Sequence, residues 1–319
     1  MASRRNLREF GQHLLEVALI LTAAISLVTV FDEWHRLIAL FAHFRLQYFV
    51  AAVALTIAFL WLRWPRYIVL GVAAIALNAW FVLPWYLPVA NAGTGSVSVR
   101  LLNANVLATN GSSERFRALV AAESPDIVLM QEVTPAWLAS LRDLEDEYPY
   151  RVVEVREDFF GIALYSRLPI EASAVNFAPP RGYPEIVANI AVGQERLQVI
   201  GLHAANPISD NGTGDRNLQL AALARLAART PRPLVVAGDF NLTMWAHPYD
   251  RLIADGGLRN AREGFGVEPT WPVFFPPAMI PIDHFLVSED VAVTRFETGP
   301  RVGSDHLPIV ADIRLGSER

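Results

Sequence analysis

The sequence Val-Val-Ala-Gly-Asp-Phe-Asn occupies residues 235–241 and decides how the second half of the chain folds. Its apolar start is typical of a buried strand, and two polar residues, Asp239 and Asn241, stand where that strand would end. Because side chains alternate along an extended chain, residues two apart point to the same side. The pattern therefore predicts a buried strand that presents a carboxylate and an amide together.

Other apolar runs are also followed by polar side chains that can bind a metal ion or move a proton. In chain order these side chains are Asn105, Glu132, His203, Asp283, Asp305 and His306. Taken singly, each has an ordinary structural explanation, since asparagine and aspartate form turns and histidine is common in protein cores. Polar groups at the ends of several buried strands can also converge on one cleft, which is how a site is built from distant parts of a sequence.

Short apolar runs alternate with amphipathic helical patterns after residue 96, which predicts an α/β domain. The predicted strands are Val97–Val106, Ile127–Gln131, Gly161–Ser166, Leu197–His203, Leu234–Ala237, Asp283–Val287 and Ile309–Ile313. The predicted helices are Arg115–Glu123, Ala136–Asp146 and Arg216–Arg229. The roughly 220 residues of this region are enough for a single core.

The first part of the chain has a different character. Hydrophobic residues make up 53% of the 319 residues, more than a soluble globule usually needs. Three long apolar stretches account for the excess: Leu14–Val30, Tyr48–Trp61 and Tyr67–Leu87. We interpret them as three transmembrane helices, although the second is short for a bilayer core of about 30 Å. The alternatives are a buried helical hairpin and, for the first stretch, a cleavable signal peptide.

The chain is therefore predicted to have two domains, an all-α membrane anchor of residues 1–90 and a globular domain of residues 91–319, joined by a short linker around residues 89–98. Arginines precede the first apolar stretch and flank the turn between the second and third: Arg4, Arg5, Arg8, Arg63 and Arg66. Positive charge favours the cytoplasmic side. We expect a multi-pass protein of the cell inner (plasma) membrane, with a cytoplasmic N-terminus and a periplasmic or extracellular globular domain.

Two residue types are absent from the sequence, and their absence excludes several kinds of chemistry. The chain has no cysteine, which excludes disulfides, thiolate zinc sites and cysteine nucleophiles. All 27 basic residues are arginines, so a Schiff-base lysine and a Walker-type phosphate-binding lysine are also excluded. A metal ion would have to be held by oxygen or imidazole.

Three short motifs resemble those of the endonuclease/exonuclease/phosphatase superfamily: Gln131-Glu132, Gly-Asp-Phe-Asn at 238–241 and Ser-Asp-His at 304–306. Residues 161–167, Arg216 with Gln219, and Thr-Trp-Pro at 270–272 are also similar to this family, so the resemblance covers residues 97–314. Its members include secreted deoxyribonucleases, apurinic endonucleases, neutral sphingomyelinases and inositol polyphosphate 5-phosphatases. The resemblance implies a deoxyribonuclease I-like fold, a four-layer α/β sandwich of two sheets flanked by helices, in a membrane-anchored bacterial member.

The resemblance also implies a metal site. Glu132 resembles the principal metal-binding carboxylate of the family, and Asn105 and Asp305 are expected near the same ion. Oxygen ligands of this kind suit Mg²⁺ or Mn²⁺. The implied activity is divalent-metal-dependent hydrolysis of phosphate esters, by a phosphodiesterase or nuclease.

Five further residues match catalytic positions of the family. His306 resembles the catalytic histidine, which Asp283 orients. Asp239 resembles the residue that positions or deprotonates the attacking water, and Asn241 one that contacts the phosphate. Whether Asp239 or His306 is the base stays open. His203 matches a second histidine that could protonate the leaving oxygen.

One feature departs from the deoxyribonuclease pattern. There, the second histidine pairs with a glutamate upstream. Glu154, Glu157 and Asp158 stand in the corresponding region, but none is assigned as that glutamate. The sequence therefore leaves the partner of His203 open.

The substrate stays open among three alternatives. One is a nuclease, the second is a phosphodiesterase or phosphatase acting on lipid head groups, similar to sphingomyelinases, and the third is a non-catalytic binding module. Residues 91–319 hold 20 arginines and 28 acidic residues, a formal charge of −8, which is unlike the basic footprint of a tight nucleic-acid binder. The apolar stretch 271–280 is interpreted either as a packed loop or as a lip facing the bilayer. The expected partners are a phosphate-ester substrate and the lipid bilayer, and no protein partner is inferred.

Overall fold

A computed structural model describes residues 2–89, 95, 97–209 and 211–316, with side chains from residue 9 onward. The chain divides into two compact units, residues 1–86 with 245–247, and residues 87–244 with 248–319. The domain boundary predicted between residues 90 and 91 lies outside the described residues.

The first unit is helical. Its elements are α1 (Ala2–Val28), a 3₁₀ turn (Thr29–Trp34), α2 (Arg36–Ala42), α3 (Arg45–Leu62), α4 (Pro65–Val82) and a second 3₁₀ turn (Leu83–Tyr86). Among the described residues, three helical stretches are long and apolar enough to cross a membrane: Glu9–Trp34, Arg45–Leu62 and Pro65–Tyr86. They coincide with the three predicted apolar stretches, whereas the loop expected between the first two contains α2.

Close packing and buried polar contacts hold these helices together. A side chain at Gly71 of α4 would place its Cβ 2.1 Å from the Thr56 hydroxyl of α3, so only glycine allows the two backbones to approach so closely. Asn78 of α4 donates a 2.8 Å hydrogen bond to the Ser26 hydroxyl of α1. Small residues and buried polar contacts of this kind are typical of helices that pack in a membrane.

In the residues that the structure describes, the second unit contains twelve strands in two six-stranded sheets. In chain order the strands are β1 (Val97–Asn105), β2 (Ile127–Gln131), β3 (Tyr150–Glu154), β4 (Ile162–Ser166), β5 (Ile170–Ala178), β6 (Tyr183–Val192), β7 (Glu195–His203), β8 (Leu234–Asp239), β9 (Arg259–Asn260), β10 (Asp283–Val287), β11 (Ala292–Thr298) and β12 (Ile309–Leu315). One sheet has the order β11-β12-β1-β2-β4-β3 and the other β5-β6-β7-β8-β10-β9.

Each sheet has one parallel pair at its centre, and both pairs are connected by a helix. Helix α5 (Glu114–Glu123) joins β1 to β2, and α7 (Gly212–Arg229) joins β7 to β8. The neighbouring strands β12 and β10 run antiparallel to β1 and β8, so they begin where the parallel strands end. In the first sheet, the carboxyl ends of β1 and β2 therefore lie beside the start of β12. In the second sheet, the carboxyl ends of β7 and β8 lie beside the start of β10.

An apolar core lies between the sheets and draws residues from both, including Leu129 of β2, Val199 of β7 and Phe285 of β10. A second cluster lies on the other face of the first sheet, beneath α5 and α6 (Pro135–Ser140), and includes Phe116 and Trp137. The two-sheet sandwich flanked by helices is the predicted fold.

All seven predicted strands are present, with end points that differ by at most two residues. The helix predicted at Ala136–Asp146 is instead α6 followed by a 3₁₀ turn at Arg142–Leu144, because Leu141 leaves the helical conformation at φ −101° and ψ 6°. In the described part of the second unit, five strands and one helix were not predicted: β3, β5, β6, β9, β11 and α8 (His247–Gly256). The strand β5 exposes most of its side chains, so its sequence lacks the apolar run of a buried strand.

Candidate active site

The ends of β1 and β2 bring together Asn105 and Glu132. Asn105 pairs with Gln131 in the parallel register, which places the next residue, Glu132, beside it. The Asn105 amide donates a 2.9 Å hydrogen bond to Glu132 Oε1, and the Ala108 N–H donates to Glu132 Oε2 at 3.0 Å. Glu132 has a φ of 62°, a left-handed conformation that costs a residue with a side chain about 1–3 kcal/mol. The chain turns sharply there and leaves the carboxylate buried at the edge of the sheet.

The ends of β7 and β8 supply His203 and Asp239, which are opposite each other in the parallel register. His203 Nε2 lies 3.5 Å from Asp239 Oδ2. Asn241 follows with φ 49°, its backbone N–H donates to Asp239 Oδ1 at 2.8 Å, and its amide donates to the Ala204 carbonyl at 2.9 Å. The sequence 235–241 thus forms a strand that presents Asp239, followed by a tight turn at Asn241.

The antiparallel strand β10 and the loop before β12 add two further side chains, Asp283 and His306, to this cluster. Asp283, the first residue of β10, is opposite Asp239 in the register. His306 precedes β12, and its Nδ1 lies 2.9 Å from Asp283 Oδ2. Its Nε2 lies 3.7 Å from Asp239 Oδ2. His306 and Asp283 therefore form a hydrogen-bonded pair in which Nδ1 carries the proton and Nε2 faces Asp239.

Asp239 is the common neighbour of side chains from both sheets. Its Oδ2 is 3.2 Å from the Asn105 amide nitrogen, in addition to its contacts with His203 and His306. All four side chains are buried. A carboxylate removed from water in this way requires charged or hydrogen-bonding partners, and three different strands or loops provide them.

The charges of these groups alter one another's pKa values. Burial alone would lower the pKa of His306, but the carboxylates of Asp283 and Asp239 outweigh it and raise that pKa to about 10. Burial favours protonation of Asp239, but the imidazoles of His306 and His203 outweigh it and lower the Asp239 pKa to about 2. At neutral pH His306 is therefore an imidazolium and Asp239 a carboxylate.

His203 has a partner that the sequence did not identify. Its Nδ1 lies 3.0 Å from the backbone carbonyl of Phe159, which is held at φ 68°. A carbonyl can only accept a hydrogen bond, so Nδ1 carries the proton and Nε2 faces Asp239. Asp158, one of the three acidic residues considered as the partner of His203, instead forms an ion pair with Arg156. A main-chain carbonyl leaves no signal in the side-chain pattern, which is why the sequence could not indicate it.

Among the described hydrogen bonds and ion pairs, none joins Asp305 to Asn105 or Glu132. Its side chain is half-buried, and Oδ2 accepts a 2.9 Å hydrogen bond from the Trp271 indole. The Trp271 ring also lies 6.4 Å from the His306 ring, centre to centre. Trp271 is therefore part of the surroundings of His306, and its motif, Thr-Trp-Pro at 270–272, was the sequence signal for it.

Two groups of side chains could hold a cation. Asp239, Asp283 and His306 offer ligand atoms within 4.8 Å of one another. Glu132 and Asn105 form the other group. Glu132 is only 9% exposed, and in the described part of the chain its carboxylate is in no ion pair with arginine or histidine. A buried carboxylate that has only neutral hydrogen-bond donors fits a bound divalent ion, so the donor chemistry of this structure agrees with the predicted ligand type.

Supporting residues behind the site fix the main chain. Arg216 of α7 donates to the Asn241 carbonyl at 2.9 Å, and Gln219 donates to the His203 carbonyl and accepts from the Ala205 N–H. His284 was not predicted. Its Nε2 lies 2.8 Å from the Leu242 carbonyl, so it connects β10 to the turn after Asp239. The only sequence signal for it was its position directly after Asp283.

Glu185 on β6 was also missed. It lies opposite Leu202, the residue before His203, and is 3% exposed. Burial raises its pKa to about 7, which a hydrogen bond from Gln219 partly opposes. A single glutamate within the apolar sequence 183–192 was the available signal.

Replacing Asp283 by Asn keeps the size of the side chain but removes the largest charge that raises the pKa of His306. We expect the pKa of His306 to fall from about 10 toward the ordinary value of 6.5. The measurement is a pH titration of the chain with ¹⁵N-labelled histidine by NMR in detergent and EDTA, with the His306→Ala spectrum identifying the signal. Asp255→Asn, at an exposed position, is the control. An unchanged His306 titration in Asp283→Asn would contradict the paired geometry.

Comparison with known proteins agrees with this architecture. Residues 89–306 match the model of the Endonuclease/Exonuclease/phosphatase family. No match was found among curated proteins. Among solved structures, three similar ones show the shared fold. TDP2 of D. rerio, complexed with single strand DNA product, is 19% identical over 68% of this chain and 99% of its own, with a TM-score of 0.57. An endonuclease/exonuclease/phosphatase from Beutenbergia cavernae is 22% identical over 69% and 72%, with a TM-score of 0.58. Sphingomyelinase C from Streptomyces griseocarneus is 20% identical over 68% and 99%, with a TM-score of 0.52.

The family match spans more than half of the chain and includes every strand end that contributes to the site, up to His306. This chain belongs to the endonuclease/exonuclease/phosphatase family.

Proposed function

We propose that this protein is a divalent-metal-dependent hydrolase of phosphodiesters. The observation that carries the proposal is the position of Asp239 between two imidazoles, His203 at 3.5 Å and His306 at 3.7 Å, beside the buried pair Asn105 and Glu132. In this arrangement the ionised carboxylate can orient a water, and a protonated imidazole can donate a proton to the leaving oxygen. A binding module would have no need of these groups.

Glu132, Asn105 and Asp305 are the proposed ligands of Mg²⁺ or Mn²⁺. The ion would neutralise a phosphate oxygen and stabilise the charge that develops as water attacks. Glu132 fits this role because it is a buried carboxylate supported only by neutral donors, the Asn105 amide and the Ala108 N–H. The 3.2 Å contact from the Asn105 amide to the Asp239 carboxylate would fix the position of the metal ligands relative to the carboxylate that orients the water.

The remaining residues have separate roles. Asp239, whose pKa is lowered to about 2, accepts a hydrogen bond from the attacking water, orients it and receives its proton as the bond to phosphorus forms. His306, whose pKa is raised to about 10, carries a positive charge toward the phosphate and is held in place by Asp283. His203 Nε2 is the proposed proton donor to the leaving oxygen, with Nδ1 held by the Phe159 carbonyl. Asn241 lies within 3.5 Å of His203 Nε2, where its amide could contact a phosphate oxygen.

Between the substrate classes, the charge of −8 over residues 91–319 favours a phosphodiester other than a long nucleic acid. A lipid head group is the alternative that we retain, because the same chain has three helices that could span a membrane. Nuclease activity on plasmid DNA and head-group release from phospholipid or sphingolipid vesicles are the paired assays that distinguish the two.

The full chain in detergent is expected to hydrolyse bis-(p-nitrophenyl) phosphate with Mg²⁺ or Mn²⁺ and to lose this activity in EDTA. Glu132→Gln and His306→Ala should each lower turnover by about 100-fold or more, the size expected when one charged catalytic group is removed. The matched control is Glu289→Gln, at an exposed position. Turnover at the wild-type rate in Glu132→Gln or His306→Ala would overturn the proposal.

We also propose that the second unit, which carries the site and is called the catalytic unit below, lies outside the cytoplasm. Arginines precede the first apolar helix and separate the second from the third, and positive charge favours the cytoplasmic side. An alkaline phosphatase reporter fused after Arg319 is expected to be active, since it folds only outside the cytoplasm. The control is the same reporter fused after Arg63, which should be inactive. The reverse pattern would contradict the orientation.

A further inference from the structure

A surface loop next to the site exposes two aromatic side chains. Residues 271–280 read Trp-Pro-Val-Phe-Phe-Pro-Pro-Ala-Met-Ile and contain no charged residue. Phe274 is 72% exposed and Phe275 is 56% exposed, whereas Val273 and Ile280 at the base of the loop are buried. Exposed phenylalanines are unfavourable in water, and two adjacent ones in an uncharged loop indicate a surface that contacts something apolar.

Hydrogen bonds and prolines fix the backbone of the loop that carries these two rings. Its ends pair with each other, because the Trp271 N–H donates to the Ile280 carbonyl and the Ile280 N–H to the Trp271 carbonyl. At the tip, the Ala278 N–H closes a turn onto the Phe275 carbonyl at 2.9 Å. Three of the ten residues are prolines, which further restrict the backbone. The exposure of Phe274 and Phe275 therefore belongs to a defined local structure.

The base of the loop is attached to the catalytic residues. The Val273 N–H donates to the Asp305 carbonyl at 3.0 Å, and the Trp271 indole donates to the Asp305 carboxylate. On the other side, the Leu307 N–H donates to the Thr270 carbonyl at 2.8 Å. His306 lies between Asp305 and Leu307 in the chain, so the base of the loop adjoins the site on both sides of this histidine.

The helices of the chain and the short linker after them would keep this loop close to an apolar surface, the lipid bilayer. Three helices of the chain are apolar enough to cross a membrane, and the residues 87–96 are all that separate the last of them from β1. At no more than about 3.6 Å per residue, ten residues span at most about 35 Å. The catalytic unit is therefore always close to a bilayer whose acyl boundary can accept phenylalanine rings.

We propose that Phe274 and Phe275 insert into the lipid surface and that residues 271–280 dock the catalytic unit on the bilayer. Since the loop has no charge, docking depends on apolar insertion, so it should not require anionic lipids or low salt. The proposal concerns binding, and it stands independently of the proposed hydrolase activity.

The absence of cysteine from the chain allows a direct test with single labels. Phe275→Cys in the full chain is labelled with the fluorophore NBD and reconstituted in phosphatidylcholine vesicles. The control is Phe177→Cys on β5, a phenylalanine of nearly the same exposure, 57% against 56%. We expect nitroxide-labelled lipids to quench the label at position 275 at least about threefold more than at 177, in low and in high salt. Equal quenching at both positions, or none at 275, would overturn the proposal.

A second variant removes the aromatic rings while keeping a label on the loop. Ala278→Cys carries NBD either in the wild-type background or together with Phe274→Ser and Phe275→Ser. Quenching by the nitroxide lipids should be lost in the triple variant, while its thermal unfolding midpoint stays that of Ala278→Cys alone. If quenching persists without the two rings, insertion by Phe274 and Phe275 is wrong. Protein-dependent quenching seen only at high surface density would point to a second copy of the chain as the occupant and would also overturn it.

Discussion

The buried carboxylate of Asp239 is the group on which the rest of the site depends. A carboxylate without water is costly unless charged groups or hydrogen-bond donors surround it. Asp239 receives a hydrogen bond from the Asn241 N–H and faces His203, His306 and the Asn105 amide. These partners come from both sheets, so the carboxylate is stable only when the sandwich is assembled. The same contacts that stabilise it give it the low pKa at which it remains ionised in the folded protein.

Strained backbone accompanies this arrangement at three places. Glu132, Phe159 and Asn241 all have left-handed φ values, which residues other than glycine rarely adopt. In each case the strained residue turns a functional atom toward the site: a carboxylate, a carbonyl that holds His203, or an amide. The free energy stored there is offset by the two apolar cores that fix the strand ends. The packed cores therefore hold the carboxylate of Glu132, the carbonyl of Phe159 and the amide of Asn241 in fixed positions.

Much of this could be predicted from the sequence, because buried strands leave apolar runs and the polar residue after each run is visible. Asp239 at the end of β8, Asn241 just after it and Glu132 after β2 are identified in this way. Strand β5 could not be found, since most of its side chains face water and carry no apolar signal. The partner of His203 could not be found either, because it is a main-chain carbonyl in a left-handed turn. The exposure of Phe274 and Phe275 depends on how the loop folds back at Trp271 and Ile280, which composition does not determine.

In the proposed reaction, a water held beside Asp239 attacks phosphorus. The most direct measurement is hydrolysis of bis-(p-nitrophenyl) phosphate in ¹⁸O-labelled water with Mg²⁺, followed by ³¹P NMR of the product. Attack by this water should place one ¹⁸O in every p-nitrophenyl phosphate formed, and the reaction should be lost in Asp239→Asn. Product without ¹⁸O on phosphorus, or labelled product formed by Asp239→Asn at the wild-type rate, would contradict this mechanism.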